Sequence, residues 1–270
     1  MSPLSVFRHA LVLGALAFVL PAIPVQAGSS ANSKSGLEVY GEPAIRAFAA
    51  KVNATLYEKG ADVAIIARSG RPRSQLPEGI SYTHVAIVVF EAVRGADGKI
   101  GHTYTVYNLY QGDGGRDDRS YLAQDFTYDF LAGSREKDIG VIVPVDALQK
   151  RILEVIRSPA YKALHNPHYN LVANPWKHQF DNCVTHTLRV VTAAIYNTSD
   201  EDRIQQNIRT YFKPTPVRLG MIQSIGSNFI TGVSHDDKEP TGLQTASFDS
   251  LKVFFEQNQI AKDTFRVLMD

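Results

Sequence analysis

Residues 181–196 read Asp-Asn-Cys-Val-Thr-His-Thr-Leu-Arg-Val-Val-Thr-Ala-Ala-Ile-Tyr and hold the chain's one cysteine, Cys183. Val184, Leu188, Val191 and Ile195 recur at helical spacing, so the stretch predicts an amphipathic helix. Asp181 or Asn182 stands where an N-cap belongs. The thiol then falls in the first turn, where N–H groups without helical partners and the positive end of the dipole favour both a thiolate and an oxyanion. A packing role competes with this reading, because free cysteine is among the most buried residue types. The count itself excludes an internal disulfide framework and any multi-cysteine metal site.

A nucleophilic cysteine needs a base, and His84 is the strongest candidate. It opens the strand-like run His84-Val-Ala-Ile-Val-Val-Phe90, where rigid backbone can hold an imidazole against a packed helix. The competing assignment is a satisfied histidine at a strand edge. Gly95-Ala-Asp-Gly-Lys99 then signals a hairpin into a second strand, Thr103 to Tyr110. That strand carries Asn108 among Tyr104, Val106, Tyr107, Leu109 and Tyr110. A buried amide without a hydrogen-bond partner costs about 1–3 kcal/mol, so Asn108 must be bonded. With the strands paired, the His84 ring is within its reach, which makes Cys183, His84 and Asn108 a nucleophile, a base and an orienter.

The order Thr83-His84-Val-Ala-Ile-Val88, a polar residue on the next strand, Tyr169-Asn170-Leu171, and a helix opening Asn182-Cys183 resembles the circularly permuted branch of the NlpC-like, papain-like superfamily. That branch includes the lecithin:retinol acyltransferase-like proteins and bacterial permuted amidases; within it, an uncharacterised family of secreted bacterial proteins is most similar. The cysteine helix follows the histidine strand by 99 residues, the permuted order. The resemblance covers about Tyr82 to Tyr196. It implies an α+β fold with an antiparallel sheet packed against helices, and thiol chemistry on a peptide, amide or acyl substrate through a thioester. It places Cys183 and His84 on the family's nucleophile and base. Asn108 falls where members often carry histidine.

Around this centre, Tyr82, Asp181, Asn182, Tyr169, Trp176 and His186 are candidate substrate-binding or supporting residues. His165, His168, His178, Cys183 and His186 crowd 22 residues, which keeps a zinc site open as an alternative. Pro167 opposes a regular helix through the first pair, and no acidic residue has the spacing of a hydrolytic zinc motif, so no metal or cofactor is assigned. Gly112 to Asp118 reads as a solvated loop, with a calcium-binding turn as the alternative. A non-catalytic peptide- or lipid-binding envelope protein on the same fold is the other functional class.

The wider chain frames these expectations. Arg8, the apolar run Ala10–Leu20 and Val25-Gln-Ala27 have the order of a secretory signal peptide, and eleven residues are too few to span a bilayer. The expected product is exported to the periplasm or beyond, without a transmembrane anchor. Residues 28–41 read as a mobile leader, 42–213 as the permuted domain and 214–270 as a C-terminal extension that completes or flanks it. The whole chain has 28 Lys+Arg and 27 Asp+Glu; without Arg8 the totals are equal, and no basic run marks a nucleic-acid partner. Helices are expected over Glu42–Glu58, from Asp146 as cap, and over Ser199–Phe212. Strands are expected over Asp62–Ala67, Thr83–Phe90, Thr103–Tyr110 and Ile139–Val143. Leu251–Phe255 and Thr264–Leu268 read as a closing strand pair. Oligomeric state is left open.

Overall fold

The computed structural model describes residues 35–95, 97–113, 116–217, 238 and 242–270, with the side chains of 113, 116 and 117 excepted. The proposed signal segment and residues 28–34 of the leader lie outside this set. Within it the chain is α+β. A six-stranded sheet runs in the order β4-β3-β2-β1-β5-β8, every neighbour antiparallel. Its strands are β1 (Val63–Arg68), β2 (His84–Arg94), β3 (Ile100–Asp113), β4 (Arg116–Phe126), β5 (Asp138–Pro144) and β8 (Ala261–Leu268). β6 (Thr215–Val217) and β7 (Leu243–Thr245) form a separate pair.

Helices cover both faces. On one side α2 (Glu42–Glu58) sets Ile45, Phe48, Val52 and Leu56 against Ala64, Ile66, Ala86 and Val88, with Phe130 and Leu131 of α3 (Thr127–Ala132) in the same cluster. On the other, α4 (Asp146–Arg157), α6 (Cys183–Tyr196), α7 (Glu201–Tyr211) and α8 (Phe248–Gln257) pack on Val63, Ile65, Val85 and Ile87. Alternate residues of one strand thus feed two cores, which is why β1 is apolar almost throughout and wholly buried. α6 is buried at twelve of its fourteen positions, so its side chains meet protein on every side.

Several expectations change. Leu251–Phe255 is helix, not strand: Ser247 caps α8 by accepting from Ser250 N, and Leu251, Phe254 and Phe255 then share one buried face. β4 follows Gly112, where a loop was expected; its charged sequence hides an edge strand that needs burial on one face only. The leader ends earlier than position 41, because Ser35–Tyr40 forms α1 and the Tyr40 hydroxyl donates to Arg135 O at 2.8 Å. Asp146 is the first residue of α4, with Val145 at the cap. No helix among the described residues is long and apolar enough to cross a membrane.

Candidate active site

Asn182 is the N-cap of α6: its side-chain oxygen accepts from Val184 N at 3.0 Å and Thr185 N at 2.9 Å, while its own N–H donates to Thr185 Oγ1 at 2.7 Å. Its Nδ2 donates to Leu171 O at 3.1 Å, tying the preceding loop to the helix. The cap engages the N–H groups of the two residues after Cys183 and leaves that of Cys183 beside the sulfur. Because Asn182 both caps the helix and pins the loop, Asn182→Ala should cost about 1–2 kcal/mol, readable as a lower denaturation midpoint. An unchanged midpoint would show that the cap does not hold this terminus.

The Cys183 thiol is buried, and burial pushes its pKa up. The N–H of Val85, the Arg68 guanidinium and the helix's own N–H groups oppose that rise. The sulfur therefore lies against the start of β2, beside the residue that follows His84. It also lines a cleft of about 90 Å³ with Ile80, Tyr82, Tyr169, Leu171, Val172 and Asn182. Arg71 is the charged side chain among the lining residues.

The His84 ring sits at the other side of the strand end. It stacks on Tyr110 at 5.0 Å and 8° and meets Phe130 at 5.6 Å. Its Nε2 is 3.0 Å from Asn108 Oδ1. Asn108 Nδ2 donates to Asp125 Oδ2 at 2.9 Å and to Val106 O at 3.3 Å, which fixes the amide with its oxygen toward the ring. An amide oxygen only accepts, so Nε2 carries the proton and Nδ1 keeps its lone pair. Burial and then the Arg68 charge push His84 down to about 3, so the imidazole is neutral at physiological pH.

His84 and Asn108 are thus directly bonded. The hydrogen bonds of His84 run to Asn108 and not to the sulfur, which approaches the same strand end through Val85. Tyr82, Tyr169 and Asn182 join Cys183 at the cleft. Asp181, Trp176 and His186 do not line it. Buried Asp181, its carboxyl pushed up to about 7 by burial, accepts from Thr185 Oγ1 at 2.9 Å and Asn166 N at 3.1 Å, behind the cap. Trp176 donates from Nε1 to Phe212 O at 3.1 Å and anchors the end of α7. His186 is packed edge-on to Tyr161 at 5.3 Å and to His165 at 6.1 Å, inside the core. Among the described residues, no group of three His, Cys, Asp or Glu is placed to hold a metal ion.

Three residues of this centre have no sequence motif. Arg68 ends the apolar run of β1 opposite His84 and is 3% exposed; Nη1 donates to Gly133 O at 2.7 Å and the guanidinium lies over Phe130. A Cβ on Gly133 would stand 2.5 Å from that guanidinium, so any larger residue there would have to displace Arg68. Tyr110 and Asp125 are joined at 2.6 Å through the tyrosine hydroxyl. A charge at the end of so apolar a strand was the available signal for Arg68; the other two are found only once β3 and β4 are paired.

No curated protein and no solved structure matches the chain. Residues 55–255 match the model of a family described as an uncharacterized protein conserved in bacteria, DUF2145. That span runs from the end of α2 through the cleft to α8 and includes His84, Asn108, Asp125 and Cys183, and the chain belongs to this bacterial family.

Proposed function

We propose that the protein is a thiol-dependent hydrolase or acyltransferase on a permuted papain-like fold. The observation that carries the reading is the 3.0 Å bond between His84 Nε2 and Asn108 Oδ1, because it leaves Nδ1 as the free base at the strand end that the Cys183 sulfur abuts. Cys183 Sγ attacks a carbonyl carbon as its proton passes to His84 Nδ1, and the Cys183 N–H at the helix terminus stabilises the oxyanion. Collapse returns the proton to the departing amine or alcohol and leaves a thioester. Water or a second acceptor then releases the acyl group. The apolar cleft suits a peptide, amide or acyl group. The signal-like N-terminal segment supports export, where cell-wall peptides are one such class.

A second reading, a binding protein that holds its ligand without turnover, is favoured by the burial of the sulfur and the upward push on its pKa. Intact-mass spectrometry after incubation with amide, peptide and ester substrates separates the two. An enzyme yields an acyl adduct confined to Cys183 and absent from Cys183→Ala. Ligand retention with no adduct, equal in protein and variant, would establish the binder.

A further inference from the structure

Asp125 sits one residue from the end of β4, opposite Val106 in the register, on the edge strand of the sheet. Its Oδ2 takes two donors, Asn108 Nδ2 at 2.9 Å and the Tyr110 hydroxyl at 2.6 Å. Both lead to one imidazole: Asn108 Oδ1 holds its Nε2, and the Tyr110 ring lies flat on its face. Asp125, Asn108, His84 and Tyr110 therefore close a ring of contacts. We propose that Asp125 is a positioning residue of the site, one that fixes the Asn108 amide and the Tyr110 ring together and so sets the tautomer and plane of His84.

The chemistry of the groups supports that assignment. Asn108 is completely buried, so no solvent molecule in bulk competes for its amide. An amide is nearly symmetric in shape, and turned over it would present Nδ2 to His84 Nε2, which would then have to accept and would move the imidazole proton to Nδ1. A base with its proton on Nδ1 cannot take one from sulfur there. Val106 O also opposes that flip, but at 3.3 Å it is the longer of the two acceptors. The carboxylate is thus the stronger constraint, since hydrogen bonds to an ionised acceptor are about twice as strong as neutral ones. Burial pushes the Asp125 carboxyl above its ordinary range; the Tyr110 bond and, across the sheet, the Arg68 charge oppose that rise in part, while Asp129 adds to it. Tyr110 is held as donor and Asp125 as acceptor.

This assignment deepens the thiol-transfer reading, but its main test needs no turnover. Nitrogen-15 spectra of the full chain labelled at histidine report which His84 nitrogen bears the proton. The wild-type ring should be protonated at Nε2. Asp125→Leu should add a second His84 population protonated at Nδ1, and Asp125→Asn, which still offers an oxygen acceptor, should restore the single form. Should the leucine variant fail to fold, Asp125→Thr keeps strand propensity and is too short to reach Asn108. Where the substrate is in hand, kcat of the leucine or threonine variant should fall about 10²-fold at unchanged KM, as for a misplaced catalytic group. A single Nε2-protonated His84 in the leucine or threonine variant overturns the proposal. A tautomer that shifts as expected in a protein that never forms an acyl adduct would instead remove the thiol-transfer reading and leave Asp125 in its role.

Discussion

His84→Gln is expected to slow acylation of Cys183 by about 10²–10⁴-fold, the range of a positioned general base. Glutamine keeps an N–H for Asn108 Oδ1 but offers no nitrogen that titrates, so the variant separates orientation from proton transfer. The pH profile carries a second expectation. Burial, then Arg68, pushes His84 down to about 3, while burial pushes Cys183 above its ordinary value of 9.0. Between those limits the resting pair is uncharged, and in the proposed thiol mechanism the proton leaves sulfur only as the bond to carbon forms. The kcat/KM profile should therefore lack an acid limb near pH 6.5, where an unperturbed histidine would place one. An acid limb centred there in the wild type and lost in His84→Gln would mean a solvated imidazole and would refute the half-buried, neutral base. The same shift bears on stability. Unfolding restores the ordinary affinity of His84 for protons, so the unfolded chain binds more of them between about pH 6.5 and 3. Stability from this group is present above pH 6.5 and is lost as the pH falls toward 3. His186, also pushed down to about 3, by burial and then by His165 and Arg189, adds in the same direction. Rates at the acid end are accordingly to be read while the near-ultraviolet spectrum is still native.

Local signals were enough for the parts of this centre that one element defines. The helix Cys183–Tyr196 has the bounds its apolar spacing and cap predict, and β2 begins at His84. Asn108 shows how far the energetic argument reaches. Its burial in an apolar strand demanded a partner, and His84 is one of three, with Val106 O and Asp125. Asp125 was out of sight because the stretch after the Gly112–Asp118 loop was assigned no element: Arg119-Ser120-Tyr121-Leu122-Ala123-Gln124-Asp125 has neither the apolar alternation nor the β-branched content of a buried strand. An edge strand needs neither, because pairing to β3 supplies its hydrogen bonds. His186 failed to join the cleft for a related reason. It stands one helical turn from Cys183, but in α6, buried at twelve of its fourteen positions, that side chain meets Tyr161 and His165 in the core. Segment 251–255 turned on a cap four residues upstream, which outweighs the β-propensity of Val253, Phe254 and Phe255.

Asp138→Ala is expected to cost about 2–4 kcal/mol, somewhat less than the ~3–5 kcal/mol of breaking a fully buried pair, because two of its partners are open to water. Asp138 is 3% exposed and accepts from Arg73 Nη2 at 2.9 and 3.1 Å, Tyr82 Oη at 2.6 Å and Arg266 Nε at 2.7 Å. These join the loop before β2, the start of β5 and the edge strand β8 at one carboxylate. On removal the arginines can turn to solvent, but the Tyr82 hydroxyl loses its acceptor while its ring stays buried. For a chain of this size the loss corresponds to a fall in Tm of about 5–15 °C. Burial alone would raise the carboxyl; the bonds from Arg266, Tyr82 and Arg73 outweigh it and hold the group below its ordinary range. The sign follows directly: the stabilisation is present above the unfolded value near pH 3.9 and is lost as pH falls through the folded value. The gap between wild type and Asp138→Asn should therefore narrow below pH 4, and a gap constant from pH 7 to 3 would refute the ionised network. The consequence reaches the cleft. Tyr82 packs edge-on against Phe248 at 5.0 Å, and the two rings close over Gly140, where a Cβ would stand 2.5 Å from Phe248 and 2.7 Å from Tyr82. Without the bond to Asp138 the buried Tyr82 ring is less firmly placed in the wall beside Cys183, so in the proposed enzyme KM should rise more than kcat falls.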